Sequence, residues 1–161
     1  MLEKTHRYDV FVIVLCSLSL VAPCRAAADL PPKGDPVKIE IGVTPTPSAA
    51  GSDAELTVKL TVNPGYKLNK YPKIKVLVPD VDGVLAGGET SAGNAAAPLP
   101  DQMESNYFKS IDPLRVKLAI QRSAKPGRRE VEGRLSYFYC VAASGFCAPA
   151  RVPIKIALDV R

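Results

Sequence analysis

Cys140 and Cys147 stand out as residues that can form and break a covalent bond with a partner. They lie in the run Leu135-Ser-Tyr-Phe-Tyr-Cys140-Val-Ala-Ala-Ser-Gly-Phe-Cys147-Ala-Pro149. Two thiols can bridge, exchange with another disulfide, or hold a soft metal ion. Other catalytic equipment is scarce. The single histidine is His6, tryptophan is absent, and neither a phosphate-binding glycine loop nor a dense cluster of metal ligands is present. The spacing is not Cys-x-x-Cys, and two ligands fall short of the four of a structural zinc site. Copper(I) capture by the two thiolates is a weaker option. It would want added Met or His, and the only Met beyond the amino-terminal segment is Met103.

The compartment decides what such a pair does. Lys4 and Arg7 give a basic start, diluted by Glu3 and Asp9, and Val10 to Ala22 is an uncharged, mostly apolar run of thirteen residues. That is short of the roughly 20 residues a spanning helix needs, and it fits the apolar core of a signal peptide. Ala26-Ala27-Ala28 supplies small residues for cleavage, so residues 1–28 are expected to be removed before Asp29. A short membrane anchor and a lipid anchor at Cys24 are the alternatives; Pro23 argues against the second. Cleavage takes away His6, Cys16 and Cys24. The remaining chain of 133 residues is long enough for one domain with a real core. With eighteen Lys and Arg against fourteen Asp and Glu, it carries a net charge of +4. The cations are scattered, without a basic cluster interleaved with aromatics, so nucleic acid is not an expected partner. No second hydrophobic run follows, so stable membrane insertion is not expected after cleavage. An exported chain meets oxidising conditions, in which a disulfide forms and persists.

The elements that must position the cysteines have a period of two. After a Pro-rich lead-in at 29–36, apolar and polar residues alternate over Val37–Val43, Leu56–Val62, Ile74–Val78, Leu114–Ile120, Val131–Tyr139 and Val152–Leu158. This is the mark of half-buried antiparallel strands. Asn63-Pro64-Gly65, Pro79-Asp80, Asp82-Gly83 and Lys125-Pro126-Gly127 are turn signals between them. An all-β fold is predicted over 37–161, an antiparallel immunoglobulin-like β-sandwich, although the Cys…Trp…Cys pattern of antibody domains is absent. Residues 80–113 break the rhythm and read as a long irregular segment. Such a connection is either a loose insertion or a functional one. Met103, Tyr107 and Phe108 give its second half enough apolar surface to fold over the cysteines.

Cys140 ends one strand and Cys147 leads into the last. A hairpin-like loop containing Gly145 can bring their α-carbons to bridging distance. In an exported protein such a pair commonly serves as a staple. Closing an eight-residue ring, however, stabilises by only about 2.5 kcal/mol on the chain-entropy account. A domain of this size does not depend on that, and a short ring near a loop is the kind that exchanges.

The stretch Gly133 to Leu158 resembles the active-site region of the amino-terminal domain of DsbD, the periplasmic thiol–disulfide interchange protein. The shared features are Tyr139-Cys140, Gly145-Phe146-Cys147, Pro149 and the alternating strand Val152 to Leu158. Pro64-Gly65-Tyr66-Lys67-Leu68 is similar to that family's glycine-tyrosine strand opening, and the strand Leu114 to Gln121 falls where the family places one. The resemblance implies a periplasmic, immunoglobulin-like domain that accepts electrons at its cysteine pair and passes them on. Partners would be periplasmic thiol–disulfide proteins or a membrane electron donor, with no cofactor. By position, Cys147 matches the cysteine that forms the mixed disulfide, and Cys140 the one that resolves it. An aromatic cap implied by the family matches Tyr107 or Phe108, with Glu104 as a nearby carboxylate. Two features depart from the family. The loop between the cysteines is one residue longer, and Ala148-Pro149-Ala150 replaces a more aromatic continuation. With no histidine in the mature chain, Arg151 is the candidate cation for activating a thiolate.

Overall fold

In a computed structural model, the structure describes residues 34–161. The expected signal segment and the first part of the lead-in lie outside the described residues. Nine strands and one short 3-10 helix follow in chain order. They are β1 (Val37–Thr44), β2 (Asp53–Val62), β3 (Tyr66–Leu68), β4 (Ile74–Val78), β5 (Leu85–Ala86), β6 (Gly88–Ala92), the helix Pro100–Asn106, β7 (Leu114–Ile120), β8 (Gly127–Val141) and β9 (Cys147–Val160). Among the described residues no helix is long and apolar enough to cross a membrane.

Two antiparallel sheets form because each alternating strand has one apolar face to bury. The first has the order β1-β2-β7-β5; in the second, β8 pairs β9 along one edge and β4 and β3 along the other, with β6 beyond β4. The spatial order matches an immunoglobulin sandwich, with A-B-E-D in one layer and C-F-G in the other. β6 pairs β4 where a C′ strand would, but it follows β5 in the chain, whereas an immunoglobulin C′ strand precedes D. Leu56, Val58 and Leu118 from the first layer meet Val76, Leu135 and Ile156 from the second in one core, each nearly free of solvent.

All six strands expected from alternation are present. β7 has the expected bounds, whereas β8 and β9 extend well past theirs. The expectation for residues 80–113 needs correction. That stretch holds β5, β6 and the 3-10 helix, and it ties the two layers together, β5 pairing β7 and β6 pairing β4. The chain changes sheets at Gly87, where a Cβ would overlap the carbonyl oxygens of Val78 and Pro79. Only glycine allows so close a backbone approach.

Candidate functional site

β8 and β9 form a hairpin of fourteen residue pairs, from Gly127↔Val160 to Cys140↔Cys147, without a slip in register. The cysteines are therefore direct cross-strand partners, and their sulfurs are bonded at 2.00 Å with the α-carbons 4.0 Å apart. The reversal between them is tight. The Val141 N–H donates to the Phe146 carbonyl at 2.8 Å, and the Gly145 N–H donates to the Val141 carbonyl at 2.9 Å. Gly145 takes φ +69°, a left-handed conformation that suits glycine.

The prolines explain why the α-carbons come so near. Pro149 and Pro153 share the parity of Cys147 in β9, opposite Phe138 and Arg134. Lacking an N–H, they cannot donate to β8, so their parity must turn its backbone groups toward the free edge. At the far end of β9, Asp159 and Arg161 confirm this parity. The Asp159 carbonyl accepts from the Ser48 N–H, and the Arg161 N–H donates to the Ser48 carbonyl, both outside the hairpin. Cys140 and Cys147 thus form one of the close pairs that exchange no backbone hydrogen bonds, the type in which α-carbons approach to about 4.5 Å.

The two sulfurs sit in different surroundings. Along β8, Val131, Leu135 and Tyr137 point into the core, which puts Cys140 on the outer face of the sheet with Ser136 and Phe138. Cys147 is on that face too and is exposed to solvent. Cys140 is nevertheless only 2% exposed. Its cover comes from two other parts of the chain. Asn69 Oδ1 lies 3.3 Å from Cys140 Sγ and the Tyr107 hydroxyl 3.8 Å away. Asn69 itself is buried.

The segment that brings Tyr107 in is firmly docked on β3 and the turn after it. The Lys70 N–H donates to the Asn106 carbonyl at 2.6 Å and the Phe108 N–H to the Leu68 carbonyl at 2.9 Å. The buried Asn106 side chain accepts from the Tyr71 N–H at 3.1 Å and donates to the Tyr71 carbonyl at 3.3 Å. Lys67, the register partner of Cys140 on β3, reaches across with its ammonium 3.2 Å from Glu104 and 4.6 Å from the Tyr107 ring centre. A cation over an aromatic face and beside a carboxylate holds both.

The residues singled out from the sequence divide accordingly. Cys140, Cys147 and Tyr107 come together. Phe108 turns to the core and packs against its margin instead of against the sulfurs. Glu104 reaches Lys67, at the rim of the cap. Arg151 does not stand beside Cys147. It lies four residues further along β9 on the same face, about 13 Å away at strand spacing. Asn69 and Lys67 were not anticipated. Lys67 and Leu68 stand in the glycine-tyrosine strand opening and Asn69 follows it, but a buried asparagine leaves no signal of its own. Among the described residues no group of three or more His, Cys, Asp or Glu is placed to hold a metal ion.

No family model and no curated protein matches the chain. Among solved structures, murine CRIg aligns with a TM-score of 0.35 at 9% identity, over 78% of this chain and 98% of that one. AggA, the major subunit of aggregative adherence fimbriae type I from Escherichia coli, aligns with a TM-score of 0.34 at 15% identity, over 79% of this chain and 97% of that one. The immunoglobulin-like architecture stands on the strand order described above.

Proposed function

We propose that the protein exchanges thiols and disulfides with protein partners through Cys140 and Cys147, in the periplasm after export, as its resemblance to the DsbD amino-terminal domain implies. One observation carries this reading: the bond joins an exposed cysteine to a buried one. Exchange needs one accessible sulfur, and a second held within reach but hidden from competing reagents.

The cycle follows from that asymmetry. A donor dithiol, on a membrane electron donor or a periplasmic protein, attacks Cys147 Sγ. Cys140 leaves as a thiolate and is protonated. The donor's second thiolate then attacks its own sulfur in the mixed disulfide, leaving as a donor disulfide and freeing Cys147. The reduced Cys147 thiolate attacks a partner disulfide and releases one partner thiolate. Cys140 loses its proton and attacks Cys147 Sγ, which restores the Cys140–Cys147 bond and releases the second partner thiolate. Two electrons pass from donor to partner, and no metal or organic cofactor is required.

The test is the redox equilibrium of residues 29–161 in glutathione buffers, read by thiol alkylation and mass. The expected result is a midpoint in the range of exchanging oxidoreductases, with Cys147 trapped in a mixed disulfide in Cys140→Ser. A bond that stays oxidised until the domain unfolds, with a potential below about −300 mV, would make it an inert staple on a binding module. Copper(I) titration of the reduced protein separates the remaining option. Absence of stoichiometric binding removes it.

A further inference from the structure

We propose, building on the exchange reading, that the outer face beside Cys147, along β9 toward Arg134 and Arg151, is a docking surface for a partner protein that carries carboxylates next to its exchanging cysteine.

The position follows from the bond. A mixed disulfide at Cys147 brings the partner's α-carbon within roughly 4–7 Å of that of Cys147. A specific interface covers about 800 Å² on each side, a radius of roughly 16 Å. On the β3 side of the cysteines that area is occupied by the docked segment held by Lys67, Glu104 and Tyr107. The exposed cysteine, Cys147, stands at the start of β9, on the far side of β8 from that segment, so the footprint is centred over the turn and β9.

That side does not have the even polar cover of an ordinary solvent face. Phe146, next to Cys147, is 60% exposed, and Leu77 is 39% exposed. Further along, Leu77, Pro79 and Pro153 share a shallow groove of about 430 Å³ with Arg134 and Arg151. Six ion pairs engage other cations of the described residues, and neither of these arginines belongs to one. Glu132 is the one carboxylate lining the groove. Lys75, also on this face, is already paired with Glu89. Two guanidiniums against one carboxylate leave the groove positive, and each offers the flat donor fork that suits a carboxylate.

The mode of binding is also constrained. β9 is an edge strand beside the reactive sulfur, a position that invites a partner strand. Pro149 and Pro153 remove two of the outward N–H groups that such a strand would need. Recognition therefore falls to side chains on the face, which favours a charged surface over an extended peptide edge.

The experiment uses reduced residues 29–161 carrying Cys140→Ser, so that mixed disulfides at Cys147 accumulate. The probes are disulfide-linked dimers of a short peptide with three Glu placed four to six residues from its Cys, the same peptide with Lys or Ser there, and neutral bis(2-hydroxyethyl) disulfide. At about 10 mM salt the Glu peptide is expected to react about tenfold faster than the Lys peptide, and the gap should close near 1 M, where screening is complete within about 3 Å. R134E/R151E should reverse the preference and R134Q/R151Q should abolish it, while the rate with the neutral disulfide stays unchanged in both. Equal rates for the Glu and Lys peptides, or a preference untouched by charge reversal, overturn the docking surface while leaving exchange standing. Failure of Cys147 to react even with the neutral disulfide overturns the exchange reading, and the docking surface with it.

Discussion

Asn69 offers the sharpest test of how the fold treats the two redox states. Its Oδ1 faces Cys140 Sγ at 3.3 Å in a buried site. In the disulfide that sulfur has no hydrogen, so the oxygen accepts nothing from it. On reduction, the Cys140 thiol gains an acceptor at hydrogen-bond range for sulfur. A buried hydrogen bond between neutral groups contributes about 1 kcal/mol. Asn69→Leu, which keeps the branched shape and removes the acceptor, should therefore weaken the reduced form relative to the oxidised one by about that amount. For a two-electron couple, 1.4 kcal/mol corresponds to about 30 mV, so the midpoint should become more negative by about 20 mV. The assay is the glutathione equilibrium of wild type and variant side by side. Urea unfolding of both redox forms of each should show the gap between them changing by about 1 kcal/mol, which separates the hydrogen bond from any packing cost common to both. An unchanged midpoint, or a shift to more positive potential, would refute the assignment of Asn69 as acceptor for the thiol.

Other consequences can be measured directly. Tyr137 points into the core, and burial, with Asp35 and Tyr139 adding to it, pushes its phenol up to about 12 from the usual 10. Because the folded value lies above the unfolded one, its contribution to stability is full below about pH 10 and is lost as pH rises through 12. Tyr137→Phe should flatten the alkaline loss of stability over that window and remove the last step of the ultraviolet tyrosine titration. Gly87→Ala should cost about 2 kcal/mol or more in urea unfolding, since the added methyl overlaps two carbonyl oxygens. Lys67→Met removes both the ion pair to Glu104 and the contact with the Tyr107 ring. It should change stability by less than about 1 kcal/mol, because the ion pair is exposed. In the reduced protein, alkylation of Cys140 should nonetheless quicken several-fold as the cover loosens.

The strands legible in the sequence are those with one apolar face, and β7 is the clearest, with strict alternation from Leu114 to Ile120. The first residues of β8, Gly127 to Glu130, were not legible because all four are exposed; they are strand because Ala157 to Val160 lie opposite. The start of β9, Cys147 to Arg151, reads as a loop because Pro149 interrupts it, and it becomes strand because that proline falls on the outward parity. β6, Gly-Glu-Thr-Ser-Ala, carries no apolar pattern, and its pairing is decided by β4. The cysteine pair and its aromatic neighbour were visible as residue types at a spacing. The roles of Asn69 and Lys67 were not, since they depend on contacts with residues more than thirty positions away along the chain.

The unbroken register of β8 and β9 also bears on how the chain folds where thiols oxidise. Moving one strand by a single residue would put the two cysteines on opposite faces of the sheet, where their sulfurs cannot meet. Moving it by two would leave them diagonal, with α-carbons about 7–8 Å apart, beyond bridging distance. Within this hairpin, only chains that have found the native pairing can close the bond without rearranging the backbone. Oxidation thereby acts as a proofreading step, locking correctly aligned hairpins and leaving misaligned ones as free thiols whose strands can still slide into register.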